Sequence, residues 1–446
     1  MTDIAGFPYI EIEFTKNGAP KQDDSAERVK TFVADNNLTD LFVVSHGWNN
    51  DRQEARALYE DLFGSVREVL DGGAADFGAR TAGILGVIWP SKKFRDMDLA
   101  SGPGAASIGT GESDEAVKEL LGELADALDS EEASSTIETL TSLVPVLEDD
   151  PSARETFADK IRALLPQDEA SADDASNQFF AASAEELFDR LDAPITFQDA
   201  GGSSAGGAAG GVGGGAAGDI GGGAAGFGDF FGGAKAAARR LLNYTTYYVM
   251  KARAGKVGAN GVSEVVAAVR NSASQLKLHF VGHSFGGRVV TAAAQQLGGA
   301  APFKPTTMTL LQAAFSHNGF ADDFRPGMDG FFRSVAAQNK VAGPILITHT
   351  HNDKANAIAY PIASLIAGQN AADFGGPQDE YGAIGANGAQ HTPEAVDGTL
   401  LEPGESGYGF EVDKIYNLEA DAHINDHGDV TGHAVAYAIL TAVNST

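Results

Sequence analysis

One serine of this sequence sits where its hydroxyl can act. Residues 276–281 read as a buried strand, Gly282-His283-Ser284-Phe285-Gly286 as a turn that only small residues permit, and residues 288–297 as a helix. That succession is a nucleophile elbow, a strained strand-to-helix turn that holds the Ser284 hydroxyl clear of a sheet. Gly282 and Gly286 let strand and helix backbones approach, and the Phe285 amide is then aimed at an oxyanion. A second Gly-x-Ser-x-Gly match, at 202–206 around Ser204, lies in a glycine tract without strand or helix beside it and has no such geometry.

A free hydroxyl is a poor nucleophile at neutral pH, so Ser284 needs a base, and histidine is the side chain suited to that task. Of ten His residues, His427 is best placed, in a polar loop between the last expected strand and the last expected helix. His433 would fall inside that helix as a packed or surface residue. His279, inside the strand before the elbow, and His283, beside the serine, read as structural. His349 and His351 with Asp353 resemble a metal-ligand set, yet they leave a strand on alternating positions, and no metal site is expected there. Acids that could orient His427 are Asp353 and, closer in sequence, Asp421, Asp426 and Asp429.

Positioning these residues requires a sheet. Residues 7–14 alternate apolar and acidic side chains, which predicts a half-exposed edge strand ending at Asn17-Gly18. A helix over 26–36 follows, then a buried strand over 40–45 that runs into His46-Gly47-Trp48-Asn49-Asn50, a helix over 52–70 and a strand over 83–89. Beyond the elbow, 306–314 and 344–350 are strand-like; a helix over 355–367, a Gly-rich stretch over 369–411, a strand over 414–418 and a helix over 431–443 come next. Alternation of this kind predicts an α/β fold, a mostly parallel, doubly wound sheet covered on both faces. Each polar cluster lies just past the C-terminal end of a strand, the edge at which open parallel sheets bind ligands.

The alternation breaks over 92–233, so the chain divides into a first core part (1–91), an insertion (92–233) and a second core part (234–446). Residues 112–199 hold 24 Asp and Glu against 5 Lys and Arg, 24 − 5 = 19 of the chain's net charge of −30. Apolar residues such as Val117, Leu121, Leu124 and Leu128 recur at i, i+3, i+4 spacing, which predicts short acidic amphipathic helices. Residues 201–233 contain 17 Gly and read as a linker or lid hinge. A helix resumes at Ala234 and is expected to end at Gly255. The insertion is expected to form a removable lid.

The order strand with His-Gly, helix, strand, helix, serine elbow, helix, strand, strand with Asp, helix, strand, His, helix resembles the α/β-hydrolase superfamily in its esterase and lipase branch, over most of 35–91 and 234–446. The resemblance implies a triad in the chain order Ser, Asp, His, which falls on Ser284, Asp353 and His427, with Asp426 the second choice of acid. His46-Gly47-Trp48 matches the family's His-Gly loop, which implies the Trp48 amide as a second oxyanion donor beside Phe285. A long insertion after Trp89, and His-Gly-Trp where many esterases have His-Gly-Gly-Gly, depart from the family pattern. The activity implied is hydrolysis of a small-molecule or lipid-like ester without metal, nucleotide or organic cofactor; peptidase and acyltransferase use the same triad.

Composition sets outer bounds. At 446 residues and 43% hydrophobic, the chain can bury a large core. Its strong negative charge disfavours nucleic acid and anionic membrane surfaces as partners. With no Cys, neither disulfides nor a thiolate nucleophile are available. No basic-then-apolar leader and no apolar stretch of spanning length is apparent, so a cytoplasmic protein without a membrane span is expected. A contrasting expectation is a non-catalytic module that binds or assembles through its acidic, Gly-rich insertion.

Overall fold

A computed structural model describes residues 2–91, 114–192, 233–297, 303–353, 363–368 and 380–446. The Gly tract over 201–232 with its Ser204 motif, the lid hinge placed there, and most of the helix expected over 355–367 lie outside the described residues.

Described strands are β1 (Thr2–Ile4), β2 (Phe7–Glu13), β3 (Asp40–Ser45), β4 (Ala82–Ile88), β5 (Lys277–His283), β6 (Thr307–Leu311), β7 (Ile345–His349), β8 (Ala395–Thr399) and β9 (Ile415–Glu419). They form one sheet in the order β1-β2-β4-β3-β5-β6-β7-β9-β8. β1 runs antiparallel to β2, and every other pairing is parallel. β3, β4 and β6 are buried at every position, as continuous apolar runs must be when helices cover both faces.

Two helical layers provide that cover. Leu41 and Val43 face a core shared with α1 (Ser25–Asp35), α8 (Ala234–Lys256), α9 (Ser263–Ser272) and α10 (Phe285–Gln296). Phe42 and Val44, pointing the other way, join α2 (Arg52–Asp71) and the last helix, His433–Asn444. α2 starts where Asp51 and Glu54 close a capping box.

Three expectations need correction. β2 is not the edge strand, because the short β1 pairs along its outer side. The helix resuming at Ala234 does not stop at Gly255; it passes through a π-helical stretch, Val257–Val262, into α9. Glycine here serves close packing, since a Cβ on Gly258 would lie 2.1 Å from the Val289 carbonyl oxygen of α10. Thirdly, the Gly-rich stretch after 369 contains β8, which lies at the far edge beside β9.

Helices of the insertion are α3 (Asp114–Leu128), α4 (Glu131–Leu143), α5 (Pro151–Ala163), α6 (Ser176–Ala181) and α7 (Ala184–Asp192). Their apolar stripes, Val117, Leu121, Leu124, Phe157, Phe179 and Leu187 among them, enter the same core as α8 and the sheet. Phe179 packs against Tyr244 with ring centroids 5.1 Å apart, and Phe180 against Tyr248 at 5.6 Å. A buried polar seam fastens the junction further. Lys251 pairs with Asp174, Arg288 donates to Glu169 at 3.2 Å, and the Phe331 amide donates to Asp173 at 3.0 Å. The described helices therefore pack into the wall of the core. Among the described residues no helix is long and apolar enough to cross a membrane.

Candidate active site

The direction in which the strand order grows reverses between β3 and β5. From β3 the chain crosses by way of α2 to β4 on one side; from β5 it crosses by way of α10 to β6 on the other. Those two helices lie on opposite faces, so the C-terminal ends of β3 and β5 open onto a topological switch point. Register decides what meets there. Ser45 pairs with Gly282, so Gly47 and Ser284, each two residues further along, come side by side. A Cβ on Gly47 would lie 2.7 Å from the Ser284 Cβ and 3.2 Å from its Oγ.

Ser284 has φ 55° and ψ −126°, a combination outside the regions open to side-chain-bearing residues at low cost. Strain of this kind costs about 1–3 kcal/mol and persists only where surroundings impose it. Here its amide donates to the Leu311 carbonyl at 3.0 Å, and its own carbonyl accepts from Ala314 at 3.1 Å and Gly287 at 2.9 Å. A Cβ on Gly282 would lie 2.3 Å from the Gly286 oxygen, and one on Gly286 2.1 Å from the Ser45 oxygen, so neither position has room for a side chain. Phe285 opens α10, and the first amides of a helix have no carbonyl of their own helix to bond.

His427, on the loop after β9, bonds Asp353, on the loop after β7, with Nδ1 to Oδ2 at 2.8 Å. A carboxylate accepts, so Nδ1 carries a proton, and Nε2 is the nitrogen that bears the lone pair of the neutral ring. Asp353 is 1% exposed, and Gln312 reaches its Oδ2 at 3.5 Å. Asp426, the second candidate acid, instead folds its own loop, its Oδ1 accepting from the Gly428 amide at 2.8 Å and the Asp429 amide at 3.1 Å. Asp421 accepts from Thr350 Oγ1 at 2.7 Å and the His351 amide at 2.9 Å, and Asn352 donates to the Ile424 carbonyl at 2.9 Å. These bonds tie the loop carrying Asp353 to the loop carrying His427. His283, next to the serine, donates from Nε2 to the His427 carbonyl at 2.8 Å.

His46 orders the chain leading to Trp48. Its Nδ1 bonds the Gly47 carbonyl at 2.9 Å, its Nε2 accepts from the Trp89 amide at 3.2 Å, and its carbonyl accepts from the Trp89 indole at 2.9 Å. The two rings stack at 5.6 Å, and the His46 amide donates to the Tyr59 hydroxyl at 3.0 Å. Complete burial pushes the His46 pKa down to about 4, which keeps the ring neutral near pH 7. Trp48 itself packs edge-on against Phe285 at 5.9 Å, and Phe285 against Tyr247 at 5.3 Å, making an aromatic wall beside the serine.

Other histidines are occupied elsewhere. His279 sits between Asp40 and Thr307 at 2.9 Å from each, and His433 bonds Glu68 at the surface. His351 bonds Asp421 and does not converge with His349 on Asp353. Among the described residues no group of three or more His, Asp or Glu is arranged to hold a metal ion. Trp89, Tyr59 and Gln312 support the site yet escape sequence reading, because each acts across a strand pairing or a helix contact; the aromatic Trp89 closing β4 was the one available hint. No family model, curated protein or solved structure matches the chain.

Proposed function

We propose that the chain is a serine hydrolase that cleaves carboxylic esters through an acyl-enzyme. The observation that carries this is the His427–Asp353 pair, bonded through Nδ1, on a loop bonded to the residue beside a strained, glycine-flanked serine. Sheet order and the chain order Ser284, Asp353, His427 further support an α/β-hydrolase fold.

Ser284 Oγ attacks the ester carbonyl carbon as its proton passes to His427 Nε2. Asp353 holds the tautomer and stabilises the imidazolium, and the amides of Phe285 and Trp48 stabilise the tetrahedral oxyanion. Collapse breaks the carbon–oxygen bond to the alcohol, which leaves with the proton from His427. Water then gives its proton to His427 as it attacks the acyl-enzyme, releasing the carboxylic acid and restoring Ser284. The aromatic wall of Trp48, Phe285 and Tyr247 favours an apolar acyl group, since each buried CH₂ contributes about 0.8 kcal/mol. Steady-state hydrolysis of p-nitrophenyl butyrate tests this activity: the wild-type chain turns the ester over, and Ser284→Ala abolishes turnover while folding normally. Equal rates for the two would remove Ser284 from the chemistry.

A further inference from the structure

A bond between the elbow and the histidine loop has no part in proton transfer as described so far. His283 is the last residue of β5, and its Nε2 lies 2.8 Å from the His427 carbonyl oxygen. A carbonyl can only accept, so the proton of His283 is on Nε2. Its Nδ1 is buried without a hydrogen-bond partner, an arrangement that costs stability against an apolar side chain of the same shape. Among the described residues no other donor reaches the His427 carbonyl. Around it the loop is shaped by short-range bonds, Asn425 to Asp429 and Gly428 to Asp426, and tied at Asp421 and Ile424 to the loop carrying Asp353, while the bond from His283 joins it to the elbow.

We propose that His283 is a positioning residue for the base: its Nε2–H anchors the His427 backbone to the elbow and so sets the distance between His427 Nε2 and Ser284 Oγ. The role rests on the hydrolytic chemistry proposed above. His427 is then held at two points, by Asp353 on its ring and by His283 on its main chain, and His283 is bonded to Ser284 through a single peptide. Nucleophile and base thus share one rigid strand end. Charge works in the same direction. Burial, and then the neighbouring His427, push the His283 pKa down to about 3, so its ring, 5.0 Å from that of His427, stays neutral when the imidazolium forms and does not oppose it.

The test compares His283→Gln, His283→Asn and His283→Met in the full chain, with p-nitrophenyl butyrate as probe and melting temperature as the control for folding. A glutamine amide reaches the place of Nε2 and keeps the donor; asparagine is polar but too short, and methionine fills the space without a donor. Expected is a fall in kcat of about 10- to 100-fold for Asn and Met, because small misplacement of a reacting group has that order of effect. KM stays within about twofold, and Gln recovers kcat to within about fivefold of wild type. Equal kcat for Gln and Asn, or wild-type kcat for Met, overturns the positioning role. Fluorophosphonate labelling of the wild type separates the two levels. A labelled wild type with Gln and Asn alike refutes His283 alone, whereas an unlabelled wild type refutes the hydrolase and this role with it.

Discussion

At the residue scale, the division of labour between neighbouring acids is the sharpest consequence of the geometry. Asp353→Asn leaves a hydrogen-bonding group of the same size but removes the charge and the tautomer selection, so kcat should fall about 10⁴-fold with little change in melting temperature. Asp426→Asn should lose less than about fivefold, since Asp426 serves two amides of its own loop. Measured kcat values in the reverse order would transfer the role to Asp426. Ser284 and His427 were legible as single residues, because a glycine-flanked serine after a strand and a histidine after the last strand occupy readable positions. Choosing Asp353 over Asp426 required a family resemblance, since proximity in sequence favours the acid that the loop consumes. The bond from His283 to the His427 carbonyl spans 144 residues, and nothing local encodes it.

At the scale of elements, the alignment of β3 with β5 decides whether the site forms. Gly47→Ala should keep the fold, as its Cβ would press on the Ser284 side chain, but should lower kcat about 100-fold by displacing the hydroxyl. Gly286→Ala places a Cβ against the β3 backbone and should cost at least about 1–3 kcal/mol of stability by overpacking. Urea melts and ester kinetics on the two variants separate these outcomes; a strongly destabilised Gly47→Ala or a fully stable, active Gly286→Ala would contradict the alignment. Central strands were readable because burial on both faces gives continuous apolar runs. The two edges were not. β1 is three residues long, and β8, Ala395–Thr399, is largely exposed and carries Asp397 and Gly398, so it lacks both the apolar run and the alternation that mark a strand.

For the whole molecule, amphipathic spacing in the insertion revealed that one face of each helix is buried but not what lies against it. The partner proved to be α8 and the sheet, with Lys251 and Asp174 paired inside the junction. Buried neutral His46 also gives the fold a pH dependence of calculable sign. Its pKa is about 4 when folded and about 6.5 when unfolded, so unfolding takes up a proton between those values and stability is lost as pH falls through that window. The stability difference between wild type and His46→Gln should therefore shrink by about 2 kcal/mol between pH 7 and pH 4.5 in urea denaturation. A difference independent of pH would mean that His46 is not held neutral by burial.

An activated serine in the crevice between β3 and β5 is the premise of everything above, and covalent labelling reads it without knowledge of the natural ester. The folded chain is treated with a fluorophosphonate and the adduct mapped by mass spectrometry. Modification confined to Ser284, absent in Ser284→Ala and slowed in Asp353→Asn, is the predicted result. A folded chain that stays unlabelled, or that carries the label on another residue, would contradict it.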